Sequence, residues 1–289
     1  MRFVLKRSLF FLLRASTLPR IIRETLQRKS VTILLYHQVD PETLDSHLDT
    51  LRRNYRFISL RDYLESRRKG RLDSLPPKSV VLTLDDGYAS NRALEPVFRR
   101  YGVNPTVFVC TRIVGTFRHF WFLDTVPPDE VQLLKTLPDS ERLVRLEAQG
   151  FDEDRIHQTR HALAWDEMEE MRDCVDFQSH TMYHPILVRC DRDRARCEIS
   201  LSKSDLETRG YSAYALAYPN GDYSEDVASL ARQAGYECAL TADLGFNTAT
   251  TDPYRLKRIT IRDEAGTTEL LVRASGLWGA LRMAVKGRP

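Results

Sequence analysis

No C-x-x-C pair, no apolar run near the roughly twenty residues that cross a bilayer, and no large charge of either sign occur in this sequence of 289 residues. Each absence excludes something. Five cysteines, Cys110, Cys174, Cys190, Cys197 and Cys238, are an odd number without paired spacing. They argue against a disulfide scaffold and a ribbon-type zinc site, and for thiols in a reducing compartment. The run Ser8–Leu13 is cut by Arg14, and no small-x-small cleavage site follows it, so neither a signal peptide nor a membrane span is expected. A net charge of +3 implies no strong nucleic-acid field. No internal repeat or low-complexity tract is present.

The composition is that of a globular protein with a core: 42% hydrophobic and 29% charged. The length suits one large α/β domain or two small ones, and no boundary separates two. Positive charge gathers in the first thirty residues, where Arg2, Lys6, Arg7, Arg14, Arg20, Arg23, Arg28 and Lys29 face a single acid, Glu24. At helical period Phe3, Leu5, Leu9, Phe10, Leu12 and Leu13 form an apolar side between these basic residues, as suits a helix lying in an anionic membrane interface. The other reading is a helix packed on the protein's own surface. The far end is similar: Leu270, Leu271, Leu277, Trp278, Leu281, Met283 and Val285 alternate with Arg273, Arg282, Lys286 and Arg288.

Between the ends, strand and helix patterns alternate, which predicts a parallel sheet with helical crossovers. The clearest strand is Val80–Leu84, apolar and β-branched as a strand covered on both faces should be. It ends on Asp85-Asp86-Gly87. Burying two charges in a strand costs several kcal/mol or so unless they are paired, so the strand must stop there, and Gly87 permits a tight exit. Val31–His37 is a second buried strand, ending on a histidine. Helices are expected over 42–55, after a possible Ser59 cap, over 91–101, from 165 to about 174, over 189–209 and over 224–234. Strands are expected at 57–60, 105–110, 175–180, 213–218, 238–241 and 256–261. The segment from about 115 to 165 breaks the rhythm and reads as an insertion at the rim of the site, its Phe117, Phe120, Trp121 and Phe122 suited either to a sugar or lipid or to a satellite core.

Four strand ends are polar: Asp85-Asp86, His37, His180 and the turn Tyr218-Pro219-Asn220. That is the layout of an α/β-barrel active site, where different strand ends supply different groups. His180 and His184 stand four positions apart, a spacing that on a helical turn shares one face. With one carboxylate of the Asp85-Asp86 pair they can hold a divalent ion and leave a position open for hydrolysis.

At this point the sequence resembles the polysaccharide deacetylases, carbohydrate esterase family 4. Thr83-Leu84-Asp85-Asp86-Gly87 matches the first motif of that family, with leucine where phenylalanine is usual. His180-Thr181-Met182-Tyr183-His184-Pro185 matches the second, and Ala217-Tyr218-Pro219-Asn220-Gly221 the third in its aromatic-Pro-x-Gly variant. The resemblance covers roughly residues 31–262. It implies an α/β fold, a distorted (β/α) barrel of the polysaccharide deacetylase type, and metal-dependent removal of acetyl groups from sugars. It also implies that Asp86, His180 and His184 bind one divalent ion, zinc ahead of cobalt, nickel or manganese. Asp85 is then the general base. The turn Tyr218, Pro219 and Asn220 contacts substrate, and the Tyr218 N–H helps to hold the oxyanion. Two departures matter. The third motif lacks the arginine that tethers the base, and Arg258 is the candidate replacement. The late Leu-x-His motif that supplies the general acid is missing. A subgroup resembling bacterial exopolysaccharide deacetylases places that histidine after the first strand, and Tyr36-His37 fits it.

The expected organisation is a basic amphipathic segment 1–29, a catalytic domain 30–265 with its insertion, and an amphipathic segment 266–289. The expected partners are an N-acetylated glycan or lipid-linked sugar and an anionic membrane surface, with no nucleic acid. The expected setting is cytoplasmic and membrane-peripheral. A non-catalytic glycan-binding relative and a metal phosphohydrolase are the rival readings.

Overall fold

Apolar β-branched runs make short strands here, and every strand in the sheet runs parallel to its neighbours. The structure is a computed structural model that describes residues 2–123 and 126–286. The side chains of Arg2, Phe3, Leu5, Lys6, Arg7, Val285, Lys286 and Arg288, named above for their spacing, lie outside what is described.

The strands are β1 (Thr32–Tyr36), β2 (Arg56–Phe57), β3 (Ser79–Leu84), β4 (Thr106–Val109), β5 (Asp176–Ser179), β6 (Ala215–Ala217), β7 (Cys238–Leu240) and β8 (Ile259–Thr260). The helices are α1 (Arg2–Ala15), α2 (Leu18–Thr25), α3 (Pro41–Arg52), α4 (Leu60–Arg68), α5 (Glu95–Tyr101), α6 (Pro128–Leu134), α7 (Asp139–Glu147), α8 (Trp165–Glu170), α9 (Arg192–Thr208), α10 (Glu225–Gln233), α11 (Thr267–Ala274) and α12 (Leu277–Lys286).

The strand order is β7-β6-β5-β4-β3-β1-β8, with β2 paired to β3. β3 pairs with β1 along five registers, from Thr32↔Val80 to Tyr36↔Leu84. Its other edge is shared: its start pairs with β2 and its end with β4. The sheet curls into a half-barrel, and Leu240 bridges Leu256 just before β8, so the segment between β7 and β8 draws the two edges together. One face of the sheet gathers Ile33, Val81, Phe108, Ala217 and Leu240 with Leu60, Tyr63 and Leu64 of α4. The other packs Leu34, Leu82, Leu84 and Val107 under α3, α5 and α11. Both faces of β1 and β3 are thus covered, which is why their sequences show no alternation.

Helix starts follow their caps. Asp40 Oδ1 accepts the Thr43 N–H at 2.9 Å and Pro41 opens α3. Ser59 and Asp62 form a reciprocal capping box on α4. The helix expected over 91–101 is divided: a 3₁₀ stretch Ala89–Leu94 precedes α5, whose first turn holds Pro96.

The insertion carries two helices, α6 and α7, around a satellite core of Trp121, Val131, Leu134, Leu146 and Phe151, while Phe120 joins the main core. The two ends of the chain meet. Phe10 is buried against Val272 and Leu277, with Leu13, Ile22 and Trp278 beside them. Leu270 and Leu271, expected on an amphipathic surface, belong to the main core. Leu9, Phe11, Leu12, Leu18, Ile21, Leu281 and Met283 remain exposed.

Candidate active site

Asp85 still extends the ladder, its N–H donating to Tyr36 O at 3.1 Å. At Asp86 and Gly87 the backbone turns left-handed, with φ of 71° and 67°. A Cβ on Gly87 would stand 2.6 Å from Val109 Cγ1, so only glycine fits there. The turn aims both carboxylates into a cleft of about 370 Å³ at the C-terminal end of the sheet, shared with His37, His180, His184, Asn220 and Arg258.

Arg258 forks onto Asp85, Nη1 to Oδ1 at 2.7 Å and Nη2 to Oδ2 at 2.8 Å, while its Nε donates to Thr241 O at 2.7 Å. Both partners are buried. Burial alone would raise the Asp85 pKa; the Arg258 charge beside it, with His180 adding to it, outweighs burial and holds the carboxyl below the usual carboxylate range.

His180 follows β5, and its Nδ1 donates to Ala217 O at 2.8 Å. A carbonyl can only accept, so Nδ1 carries a proton and Nε2 is the nitrogen that faces Asp86. His184 arrives by a route the sequence spacing misread. Residues 180–185 form no helical turn; Thr181 and His184 take left-handed φ values of 70° and 62°. The loop is held from beneath by buried Glu198, whose Oε2 accepts the Met182 and Tyr183 N–H groups at 2.8 and 3.1 Å. Trp121 Nε1 donates to His184 O at 2.8 Å.

The two Nε2 atoms stand 3.4 and 3.3 Å from Asp86 Oδ1. Ligand atoms of Asp86, His180 and His184 all lie within 4.8 Å of one another. Asp86 Oδ1 is buried and accepts no hydrogen bond among the described residues, a state that costs about 1–3 kcal/mol or more for a charged group. Burial pushes Asp86 up, but the imidazoles of His180 and His184 override it and hold its pKa low. Burial lowers His180, yet Asp85 and Asp86 raise it above its ordinary value; His184, where burial dominates, falls to about 3. A carboxylate oxygen without a donor, two converging ring nitrogens and a local field that draws positive charge fit a divalent cation.

The remaining predicted residues divide. His37 is half-buried on the cleft wall. Its backbone is clamped, N–H to Asp263 Oδ1 at 3.1 Å and C=O from Asn91 Nδ2 at 3.0 Å, and its ring makes no hydrogen bond among the described residues. Tyr218 is not where its expected role requires. Its N–H is consumed by the β6–β7 ladder at Leu240 O, 3.0 Å away, and its buried hydroxyl donates to Tyr254 O. Tyr218 therefore cannot offer that N–H to an oxyanion, and with Pro219 it lies outside the cleft lining. Asn220 lines the cleft instead, at φ 61°, and its N–H donates to nothing among the described residues. Among the cleft residues that carry no motif are Phe122, whose ring centroid is 4.8 Å from that of His184, and Lys135 at the end of α6.

A family model described as polysaccharide deacetylase matches residues 73–239. YxkH of Bacillus subtilis (strain 168), which carries the provisional name of a polysaccharide deacetylase, is 22% identical over 187 residues, 64% of this chain and 52% of that protein. The chain thus spans about half the length of that relative. The deacetylase PplD of Streptococcus pyogenes, solved in complex with acetate, shares the fold at a TM-score of 0.64 over 85% of this chain and 98% of that one, with 22% identity. IcaB from Ammonifex degensii does so at 0.63 over 86% and 97%, with 19% identity.

Proposed function

Since the chain belongs to the polysaccharide deacetylase family, carbohydrate esterase family 4, we propose that it is a metal-dependent hydrolase that removes N-acetyl groups from a sugar in a polysaccharide or lipid-linked glycan. The observation that carries this reading is the Asp85 carboxylate, fixed by the Arg258 fork beside the Asp86, His180 and His184 triad. A divalent ion held by that triad, zinc ahead of cobalt, nickel or manganese, would polarise the acetyl carbonyl and acidify a water beside it. Asp85, ionised at neutral pH, takes the proton of the attacking water, and Arg258 keeps both its oxygens oriented. The Asn220 N–H, one of the cleft amides without an acceptor among the described residues, is assigned to the oxygen on which charge develops. His37, across the cleft, donates a proton to the nitrogen as it leaves, because an amide anion is a poor leaving group.

A glycan-binding relative has no use for a tethered carboxylate beside a cation triad. A two-metal phosphohydrolase needs a second acidic cluster, and the described residues hold one such group. The test is acetate release from a panel of polymeric and lipid-linked N-acetyl sugars, with metal content measured in parallel. Asp85→Asn is expected to retain about one ion per chain and lose turnover, whereas His180→Ala loses both. Metal loss as complete in Asp85→Asn as in His180→Ala would overturn the division of roles between Asp85 and Asp86.

We also propose a peripheral membrane setting on the cytoplasmic face. Exposed Phe11, Leu12, Leu18, Ile21, Leu281 and Met283, among exposed Arg20, Arg28, Lys29 and Arg282, support it.

A further inference from the structure

Among the described residues, Lys135 is the one cation of the cleft that the proposed chemistry does not use. Arg258 is matched by Asp85, and the imidazoles of His180 and His184 face the triad carboxylate. Lys135 stands half-buried at the end of α6, on the wall that the insertion contributes with Phe122. Its ammonium forms no hydrogen bond or ion pair among the described residues; Asp86 and Asp222 act on it only through space. Asp222 is already engaged, accepting from Asn220 Nδ2 at 2.7 Å. A lysine drawn into a cleft without a partner gives up hydration for nothing. It regains that cost when a bound molecule brings the anion. Phe122, packed on the His184 ring, offers the apolar face on which a pyranose can lie beside that charge.

We propose that Lys135 is a specificity-determining residue, and that the substrate is an N-acetylated sugar bearing an anionic group, carboxylate or phosphate, next to the acetamide. This deepens the deacetylase reading and rests on it for the identity of the sugar. A lone charge-assisted contact of this kind is worth on the order of tenfold to a hundredfold in affinity.

The experiment measures binding without turnover. The zinc-loaded Asp85→Asn/Arg258→Met chain, which removes the base together with its buried counter-charge, is titrated calorimetrically with neutral N-acetylglucosamine and its tetramer, with a tetrasaccharide alternating N-acetylglucosamine and glucuronic acid, and with N-acetylglucosamine 1-phosphate. Each titration is repeated with Lys135→Met, Lys135→Arg and Lys135→Glu added. The expected result is a preference of about tenfold or more for one charged ligand over its neutral counterpart. It should vanish in Lys135→Met, return in Lys135→Arg and invert in Lys135→Glu. Which charged ligand shows the preference distinguishes carboxylate from phosphate. Equal affinity for charged and neutral ligands with Lys135 in place overturns the proposal. So does a preference that survives Lys135→Met, or an equal loss on all ligands, which would mark Lys135 as a contact to the N-acetyl sugar that they share. Acetate release by the chain with Asp85 intact is read separately: its absence beside an intact charge preference would sink the deacetylase reading and leave the role of Lys135 standing.

Discussion

Arg258 reaches Asp85 from 173 positions further along the chain, and both groups are buried. Replacing it with methionine keeps volume but leaves a buried carboxylate unpaired, a loss of about 3–5 kcal/mol. With its charge gone, burial is opposed only by the neighbouring imidazoles of His180 and His37, and the Asp85 pKa rises. A base works ionised, so the acid limb of the pH–rate profile, which the depressed pKa places below the ordinary carboxylate range, moves to higher pH in Arg258→Met. An unmoved limb would separate Asp85 from base catalysis. His37 acts in the opposite sense. A general acid works protonated, so His37→Ala should remove the alkaline limb and lower kcat by about a hundredfold or more while metal content holds. Near-normal turnover with the alkaline limb intact would return His37 to a structural role. At this scale the residues that share a short motif were legible: Asp85, Asp86 and His180 stand at strand ends, and His184 follows on the loop after β5. Arg258 was reached only as a stand-in for the arginine that the third motif lacks, because a contact across the barrel leaves no local pattern. The Tyr218 N–H was misread, since a Tyr-Pro-Asn-Gly turn does not reveal which of its donors the neighbouring strand consumes. Lys135 had no signal at all.

Among elements, β1 and β3 were the easiest to read, because burial on both faces erases polar positions. The loop 180–185 was the hardest. Its histidines converge through left-handed residues, one of them before a proline, where neither left-handed nor helical backbone is favoured. Such strain persists only when neighbours over-determine it; here Glu198 and Trp121 do so. Glu198 is fully buried, and burial raises its pKa to about 7 even though Arg194 and two backbone N–H groups oppose the rise. An acid whose folded pKa lies above its unfolded value is neutral in both states below the unfolded value, near 4.5, and adds no penalty there. As pH climbs through about 7 the folded state must ionise a buried group, at a cost of about 3 kcal/mol from roughly 1.4 kcal/mol per unit. Glu198→Gln lacks that penalty. The stability of wild type relative to Glu198→Gln should therefore fall between pH 4.5 and 7, measured by denaturant unfolding in matched buffers. A difference constant across that range would mean that Arg194 and the amides keep Glu198 ionised as an ordinary carboxylate.

For the molecule as a whole, helical period showed that the ends are amphipathic but not what covers them. The structure divides that apolar side: Phe10 and Leu13 are spent on α11 and α12, while Phe11 and Leu12 are left at the surface. Deleting residues 1–29 is therefore a poor test of membrane attachment. Gln27 is buried and donates to both Thr32 Oγ1 and Ala274 O at 2.8 Å, so the deletion would strip the start of β1 and the end of α11 of partners. Phe11→Ser with Leu12→Ser removes only exposed apolar surface, each side chain worth up to about 1.5–3 kcal/mol if a membrane buries it fully. Surface Lys and Arg contribute about 1 kcal/mol apiece to an anionic bilayer, and salt screens them. The double variant should keep the wild-type melting temperature and acetate release from a small soluble sugar, yet bind vesicles of mixed neutral and anionic phospholipid at least tenfold more weakly. Arg20→Gln with Arg28→Gln should weaken the salt-sensitive part of that binding, since Lys29 and Arg282 stay exposed, and leave the remainder. If wild type and Phe11→Ser/Leu12→Ser cosediment equally with vesicles at low and high salt, the exposed faces of α1 and α2 do not dock on lipid, and the apolar side at the N-terminus serves only to seat α1 on α11 and α12.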